Sequence, residues 1–163
     1  DEKTPEDTVH AFYTWVLANP SSALPSPKQR TELVDILTSD TLSLLDAAAR
    51  TETQCIAVTP PGHKPFVIEG DLFVSTYEGA TEVTYGEPVR RGDSVRVEAT
   101  LIHIDPTFPK AHKHRALVWK NQLELRFVGQ RWYVHDVHFS ESQSLVGGLK
   151  TYIEEGARTC ARP

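Results

Sequence analysis

The sequence predicts an α+β fold in which N-terminal helices pack on a meander of long antiparallel strands, closed by a short C-terminal helix. Three observations carry this reading. Apolar residues recur at three- and four-residue intervals as far as Ala48. From Thr81 the period changes to two. Gly129-Gln130 then separates two strongly alternating runs in the manner of a tight hairpin. Helices followed by strands, without βαβ alternation, define the α+β class.

The first helix starts at Thr4-Pro5-Glu6-Asp7, with a hydroxyl cap, proline at the first helical position and an acid at the third. Val9, Phe12, Tyr13, Val16 and Leu17 form its apolar stripe, and Asn19-Pro20 ends it. Ser21 to Lys28, with two prolines, reads as an exposed connector. Helical spacing returns at Leu33, Val34, Ile36 and Leu37. Ser39 or Asp40 then caps a helix carrying Leu42, Leu44, Leu45 and Ala48.

In the second half, Thr81 to Tyr85 alternates and Gly86 to Asp93 is rich in turn residues. Ser94 to Asp105 places Val95, Val97, Ala99 and Leu101 on one face and Arg96, Glu98 and Thr100 on the other. Asp105 to Arg115 is an irregular loop holding His112 and His114. The next strand runs from about Ala116 to Phe127, with Leu117, Trp119, Leu123, Leu125 and Phe127 of one parity. Arg131 to Phe139 is the last strand, and Leu145, Leu149, Tyr152 and Ile153 mark the final helix. One sheet face is therefore apolar, and the other, with Arg96, Glu98, Glu124, Arg126 and His135, is charged and wet. The predicted core contains Phe12, Val16, Leu42, Leu45, Val97, Leu101, Leu123, Leu125, Trp132 and Val134.

Composition narrows the function classes. The chain has 163 residues, 39% hydrophobic and 24% charged, which is the balance of one globular domain spanning 1–163. No run of 18 apolar residues offers a membrane span. With 17 Lys and Arg against 22 Asp and Glu, the net charge of −5 argues against nucleic acid as a partner. There is no Met and the first residue is Asp1, which removal of a signal peptide would explain and other trimming of the N-terminus would explain equally well. Cys55 and Cys160 lack the spacing of a redox or zinc motif. They are expected to form a disulfide in an oxidising compartment, the other option being two small core residues.

Thr4-Pro5-Glu6-Asp7-Thr8-Val9 running into Ala11-Phe12-Tyr13-Thr14-Trp15 resembles the opening helix of the nuclear transport factor 2-like proteins, the ketosteroid isomerase/cystatin-like α+β superfamily. Gly70-Asp71-Leu72-Phe73-Val74-Ser75, followed by Tyr77-Glu78-Gly79-Ala80, resembles a bacterial, usually secreted branch of it with no established activity. Gly129-Gln130-Arg131-Trp132-Tyr133-Val134-His135-Asp136-Val137 is similar to the closing strand of the same proteins. The resemblance implies a strongly curved, cone-shaped sheet wrapped around helices, with a pocket at its open end. It also implies either a monomer or a homodimer through the sheet face.

Two functional readings follow. An isomerase, dehydratase or cyclase would need a base and a donor converging in the cone. Strand parity nominates Asp136 and His103 as base and Tyr85 as donor, with Trp119 and Trp132 completing the pocket lining. The other reading is a secreted or periplasmic binding domain without catalysis, and it is the one favoured here. Its partner would be a small apolar molecule in the cone or a protein on its surface. Size, acidity and export also fit a toxin-neutralising, immunity-type protein. Neither reading calls for a cofactor. The pairs His112/His114 and His135/His138 do not make a metal set, because nothing ties them together and the second pair alternates faces unless a bulge intervenes. Asp71 is read as a cap for the turn that follows it. Ile102, Ile104, Val118, Val137 and Phe139 share parity on the wet face, and the final helix is expected to cover them, with a partner as the alternative.

Overall fold

A computed structural model describes residues 3–20, 23–76 and 78–162. The element order is α1 (Pro5–Ala18), α2 (Pro27–Glu32), α3 (Ser39–Val58), β1 (Glu82–Tyr85), β2 (Val89–Arg91), β3 (Ser94–Ile104), β4 (Ala116–Val128), β5 (Arg131–His138) and α4 (Leu145–Thr159). It is an α+β arrangement with N-terminal helices, one five-stranded antiparallel sheet and a short closing helix.

Local chemistry accounts for the boundaries. Thr4 and Asp7 form a reciprocal capping box at the start of α1, with Pro5 at its first position. Ser26 and Gln29 repeat the device at α2. That helix begins inside the stretch expected to be connector, and it is wholly polar, so apolar periodicity could not reveal it. Leu33 to Ile36 forms turns rather than a helix, and Leu37 forms an isolated bridge to Val134. Leu33 and Leu37 are both buried there, while Val34 is exposed. Thr38, not Ser39 or Asp40, caps α3, its hydroxyl accepting from the Thr41 amide. Gly129 and Gln130 both have positive φ, the backbone a two-residue hairpin needs to match strand twist.

The sheet runs β1-β3-β4-β5, with β2 also pairing β3. β1 covers the β3 positions 99–102 and β2 covers 94–96, so together they form one interrupted edge. β2 lies within the stretch read as turns. At the opposite edge, the α2–α3 connector pairs with β5: the Thr38 amide donates to the Val134 carbonyl, and the Val134 amide donates to that of Ile36.

The core lies between one sheet face and the helices. Val95, Val97, Ala99, Leu101, Leu123, Leu125, Val134 and Val137 meet Val9, Phe12 and Val16 of α1, Leu45 and Ala48 of α3, and Leu145 and Leu149 of α4. Of the expected core, Leu42 and Trp132 are only partly buried at its margin. The segment around Asp71 plugs one side of this core. Asp71 Oδ1 accepts from the Phe73 amide, the Asp71 amide donates to the Thr76 carbonyl, and Phe73 and Val74 are buried. The Val74 carbonyl in turn accepts from Trp119 Nε1 at 2.9 Å. Tyr77, quoted above in the resemblance, lies outside the described residues, as do residues 21 and 22 of the expected connector.

α4 packs on α3 and on β5. The helices approach so closely at Gly156 that a Cβ there would fall 2.2 Å from Thr51 Cγ2. Next to this contact, Cys55 of α3 is bonded to Cys160, with Cα atoms 4.9 Å apart and a sequence separation of 105. The final helix therefore seats Leu145 and Leu149 in the main core and leaves Val118 61% exposed. It does not cover the wet-face cluster as expected.

Two tests follow from this packing. Gly156→Ala is expected to lower the melting temperature, because overpacking of about 1–3 kcal/mol exceeds a helix-propensity gain of roughly 1 kcal/mol. Thr51 cannot turn aside freely, since its hydroxyl donates to the Ala47 carbonyl. Replacing both cysteines by alanine is expected to cost about 4–5 kcal/mol in denaturant unfolding, the chain-entropy value for a loop of this length. A loss below 1 kcal/mol would remove the staple from any account of stability.

Candidate functional site

The open face of the sheet is built from alternate residues: Arg96 and Glu98 of β3, Lys120, Gln122, Glu124 and Arg126 of β4, and Asp136 and His138 of β5. The last pair is there because of a register shift. Val134 pairs with Leu125, but Asp136 pairs with Glu124, so His135 is one residue too many on β5. The bulge reverses the parity beyond it. Val137, expected on the wet face, is fully buried opposite Leu123. Asp136 and His138, expected to continue the apolar face, stand on the open one. The bulge is held from outside the sheet, where the Thr41 hydroxyl donates to the His135 carbonyl and Thr38 Oγ1 lies 3.0 Å from His135 Nδ1.

Glu124 is the hub of this face. Its Oε1 lies 3.2 Å from Arg96 Nη2 and 3.1 Å from His138 Nε2, and its Oε2 accepts from Arg126 Nε at 3.2 Å and Nη2 at 3.1 Å. Burial opposes ionisation of Glu124. Hydrogen bonds from His138 and Arg126, with the charges of Arg126 and Arg96, outweigh it and hold the carboxyl below its ordinary value. His135 is displaced in the direction of its neutral form, mainly by burial and then by the Arg126 charge. Asp136 is buried and bonded inward: Oδ1 accepts from the amides of Val137 at 2.8 Å and Val146 at 2.9 Å. Val146 belongs to the first turn of α4, so Asp136 both caps that helix and favours its dipole.

Two grooves flank the hub. One, of about 550 Å³, is lined by Arg91, Arg96, Lys120, Gln122, His138 and Phe139 among others. Arg96 Nε is buried there without a hydrogen-bond partner. The other, of about 400 Å³, lies between Val34, Leu37 and Leu42 on one side and Arg126, Val128, Tyr133 and His135 on the other. Val34 and Val128 are more than half exposed in it. Apolar walls with a few fixed polar groups and a half-buried tyrosine are the usual make-up of a docking surface.

The residues nominated for catalysis do not come together. Tyr85 stands opposite Ala99 in the register, with its hydroxyl 3.0 Å from His10 Nδ1 of α1. His103 is four residues further along β3, with Nδ1 3.1 Å from the Gly79 carbonyl. Asp136 is two strands away and spends Oδ1 on the start of α4. Trp119 is tied to Val74, and Trp132 lines a separate recess of about 240 Å³ beside α1. None of these three cavities includes Tyr85, His103, Trp119 or Asp136. The physical reason is the bulge for Asp136 and plain strand geometry for the other two. Among the described residues no group of three His, Cys, Asp or Glu is placed to hold a metal ion. His112 and His114 stack loosely at 5.3 Å on the β3–β4 loop, far in register from His135 and His138. The second groove went unread in the sequence because Val34, Val128 and His135 come from three separate segments. The Thr38–His135 contact that shapes it has no local signature.

No protein-family model matches the chain, and no curated protein does. Solved structures do. A chain of the crystal structure of the type VI native effector-immunity complex Tae3-Tai3 from Ralstonia pickettii matches with a TM-score of 0.52 at 15% identity, over 86% of this chain and 98% of that one. The fold is shared. The SeMet structure of the same complex gives 0.50 at 14% identity, over 86% and 99%. No helix among the described residues is long and apolar enough to cross a membrane.

The hub carries a sign-definite pH dependence. Because Glu124 is held below its ordinary value of 4.5, its contribution to stability is complete above that pH and fades as pH falls through the lower folded value. Glu124→Gln is expected to cost about 1–3 kcal/mol at pH 7, the range for hydrogen bonds to charged groups. The gap from wild type should narrow on acidification below pH 4.5 in urea unfolding. A gap that stays constant would show that the charge of Glu124 contributes nothing.

Proposed function

We propose that this domain is a non-enzymatic protein-binding module of the immunity type, which neutralises a protein effector by occluding it with the open face of its sheet. The observation that carries this reading is the second groove, where exposed Val34 and Val128 stand beside Tyr133 and His135. The fold match to a chain from an effector-immunity complex supports it. The Cys55–Cys160 bond favours an oxidising compartment, the periplasm or the cell exterior, where such bonds persist. In this reading the architecture is a nuclear transport factor 2-like domain whose cone serves as scaffold, and whose work is done on the outer sheet surface. A partner protein is preferred to a small apolar ligand because both grooves are open and half polar.

The test is a protection assay joined to a binding measurement. Cells exporting a type VI effector to the periplasm are expected to survive when this chain is exported with it, and the two purified proteins to form a stable complex. Tyr133→Ala combined with Val128→Asp is expected to weaken that complex at least about thirtyfold, as loss of a central anchor does. Protection with no physical complex would overturn direct neutralisation. Full affinity in the double variant would move the interface off this face.

A further inference from the structure

A long acid-free stretch of charge leads from the β3–β4 loop toward the first groove. From Pro106 to Leu123 the chain carries Lys110, Lys113, Arg115 and Lys120 and no acid, in a protein with an excess of acids overall. Lys110, His112, Lys113 and His114 are exposed on the loop between β3 and β4. Lys110 and Lys113 meet no carboxylate among the described residues, whereas Lys120 pairs with Glu98.

This loop has a fixed shape. The Asp105 amide donates to the Arg115 carbonyl at 2.7 Å and closes its base. Asp105 Oδ1 accepts from the Thr107 amide at 2.9 Å and its hydroxyl at 2.6 Å. Arg115 Nη1 donates to the Phe108 carbonyl, and the Phe108 ring turns back to stack on His112 at 4.6 Å. On the open face its flank is apolar at Val118, 61% exposed, while Leu117, 47% exposed, stands on the opposite face of β4. Val118, Lys120 and Gln122 are alternate residues of β4, so this flank runs directly into the first groove of the open face.

We propose that the β3–β4 loop docks on an acidic face of a protein partner, with carboxylates meeting Lys110 and Lys113 while an apolar residue covers Val118. This rests on the protein-binding reading above and adds the chemistry of the partner's surface. An anionic lipid surface fits less well, because it needs no fixed geometry and is usually entered by an outward aromatic, whereas Phe108 faces inward. Nucleic acid fits less well too, since exposed Val118 beside the cations offers nothing to a phosphate backbone. Like charges on the rest of the molecule would orient an acidic partner so that it arrives loop first.

The probe is a short synthetic peptide of alternating Glu and Leu, titrated into the isotope-labelled protein and followed by amide NMR shifts. Shifts are expected to cluster in residues 105–118. Affinity should fall at least about tenfold in Lys110→Glu with Lys113→Glu, and fall steeply with added salt, as for exposed charge pairs. A thermal melt unchanged by the double substitution excludes misfolding as the cause. Shifts centred instead on Arg90 and Arg91, or equal binding by the charge-reversed variant, would overturn the proposal. So would tighter binding to phosphatidylglycerol vesicles or to single-stranded DNA than to the peptide. The protection assay fails or succeeds separately: wild type that protects cells but ignores the peptide sinks the loop proposal alone. Peptide binding at the loop without protection sinks neutralisation and leaves the loop standing.

Discussion

One extra residue in β5 organises the functional half of this molecule. The bulge at His135 turns Val137 into the core and brings Asp136 and His138 out to Glu124. Each consequence is anchored by a different neighbour. Thr38 and Thr41 of the α3 start bind the bulged residue itself, and Asp136 binds the first turn of α4. A strand that slips by one residue would lose both helix contacts at once and expose Val137. The bulge is thus a three-way joint between sheet, α3 and α4, and bulges of this kind commonly re-aim side chains beside functional surfaces.

The open face gains its rigidity from the same joint. A carboxylate surrounded by two guanidinium groups and an imidazole gives each of them a fixed direction, where on a bare sheet they would sample many rotamers. Immobilising long side chains before binding removes part of the entropic cost that association otherwise bears. The network does more than add stability. Its value lies in order: Arg126 and His135 border the second groove, Arg96 and His138 the first, and Glu124 holds three of the four.

How much of this was legible in the sequence depends on how local the deciding force is. Thr4-Pro5 and Gly129-Gln130 act within four residues, and both ends are where the sequence placed them. The α+β order and the β3 and β4 faces follow from long, clean periodicity. Polar α2 was hidden because it has no stripe to detect, and β2 because three residues among turn formers carry no alternation. The bulge was hidden for a deeper reason. His135 looks like any outward residue in an alternating strand, and only the hydroxyls of Thr38 and Thr41, almost a hundred residues earlier, hold it out of register. The parity error that followed put Asp136 and His138 on the wrong face, and with them the imagined catalytic cluster.

That error bears on how a fold of this class takes up a function. A catalytic cone needs its polar groups inside, desolvated and convergent. Here the inward positions are filled by Val, Leu and Ala, and the Asp71–Thr76 plug lies against the same core through Val74. Fixed polar chemistry is instead moved to the outer surface by one residue of slip. The helices are meanwhile stapled at the far side by Cys55–Cys160 and the Gly156 contact. The stapled side can then carry the stability of the domain, so the second groove can keep exposed Val34 and Val128 without unravelling the core. Exposed apolar residues around ordered charges are costly to a free monomer and useful to one that is completed by a partner. The scaffold thus separates its strongest constraints from its most exposed surface.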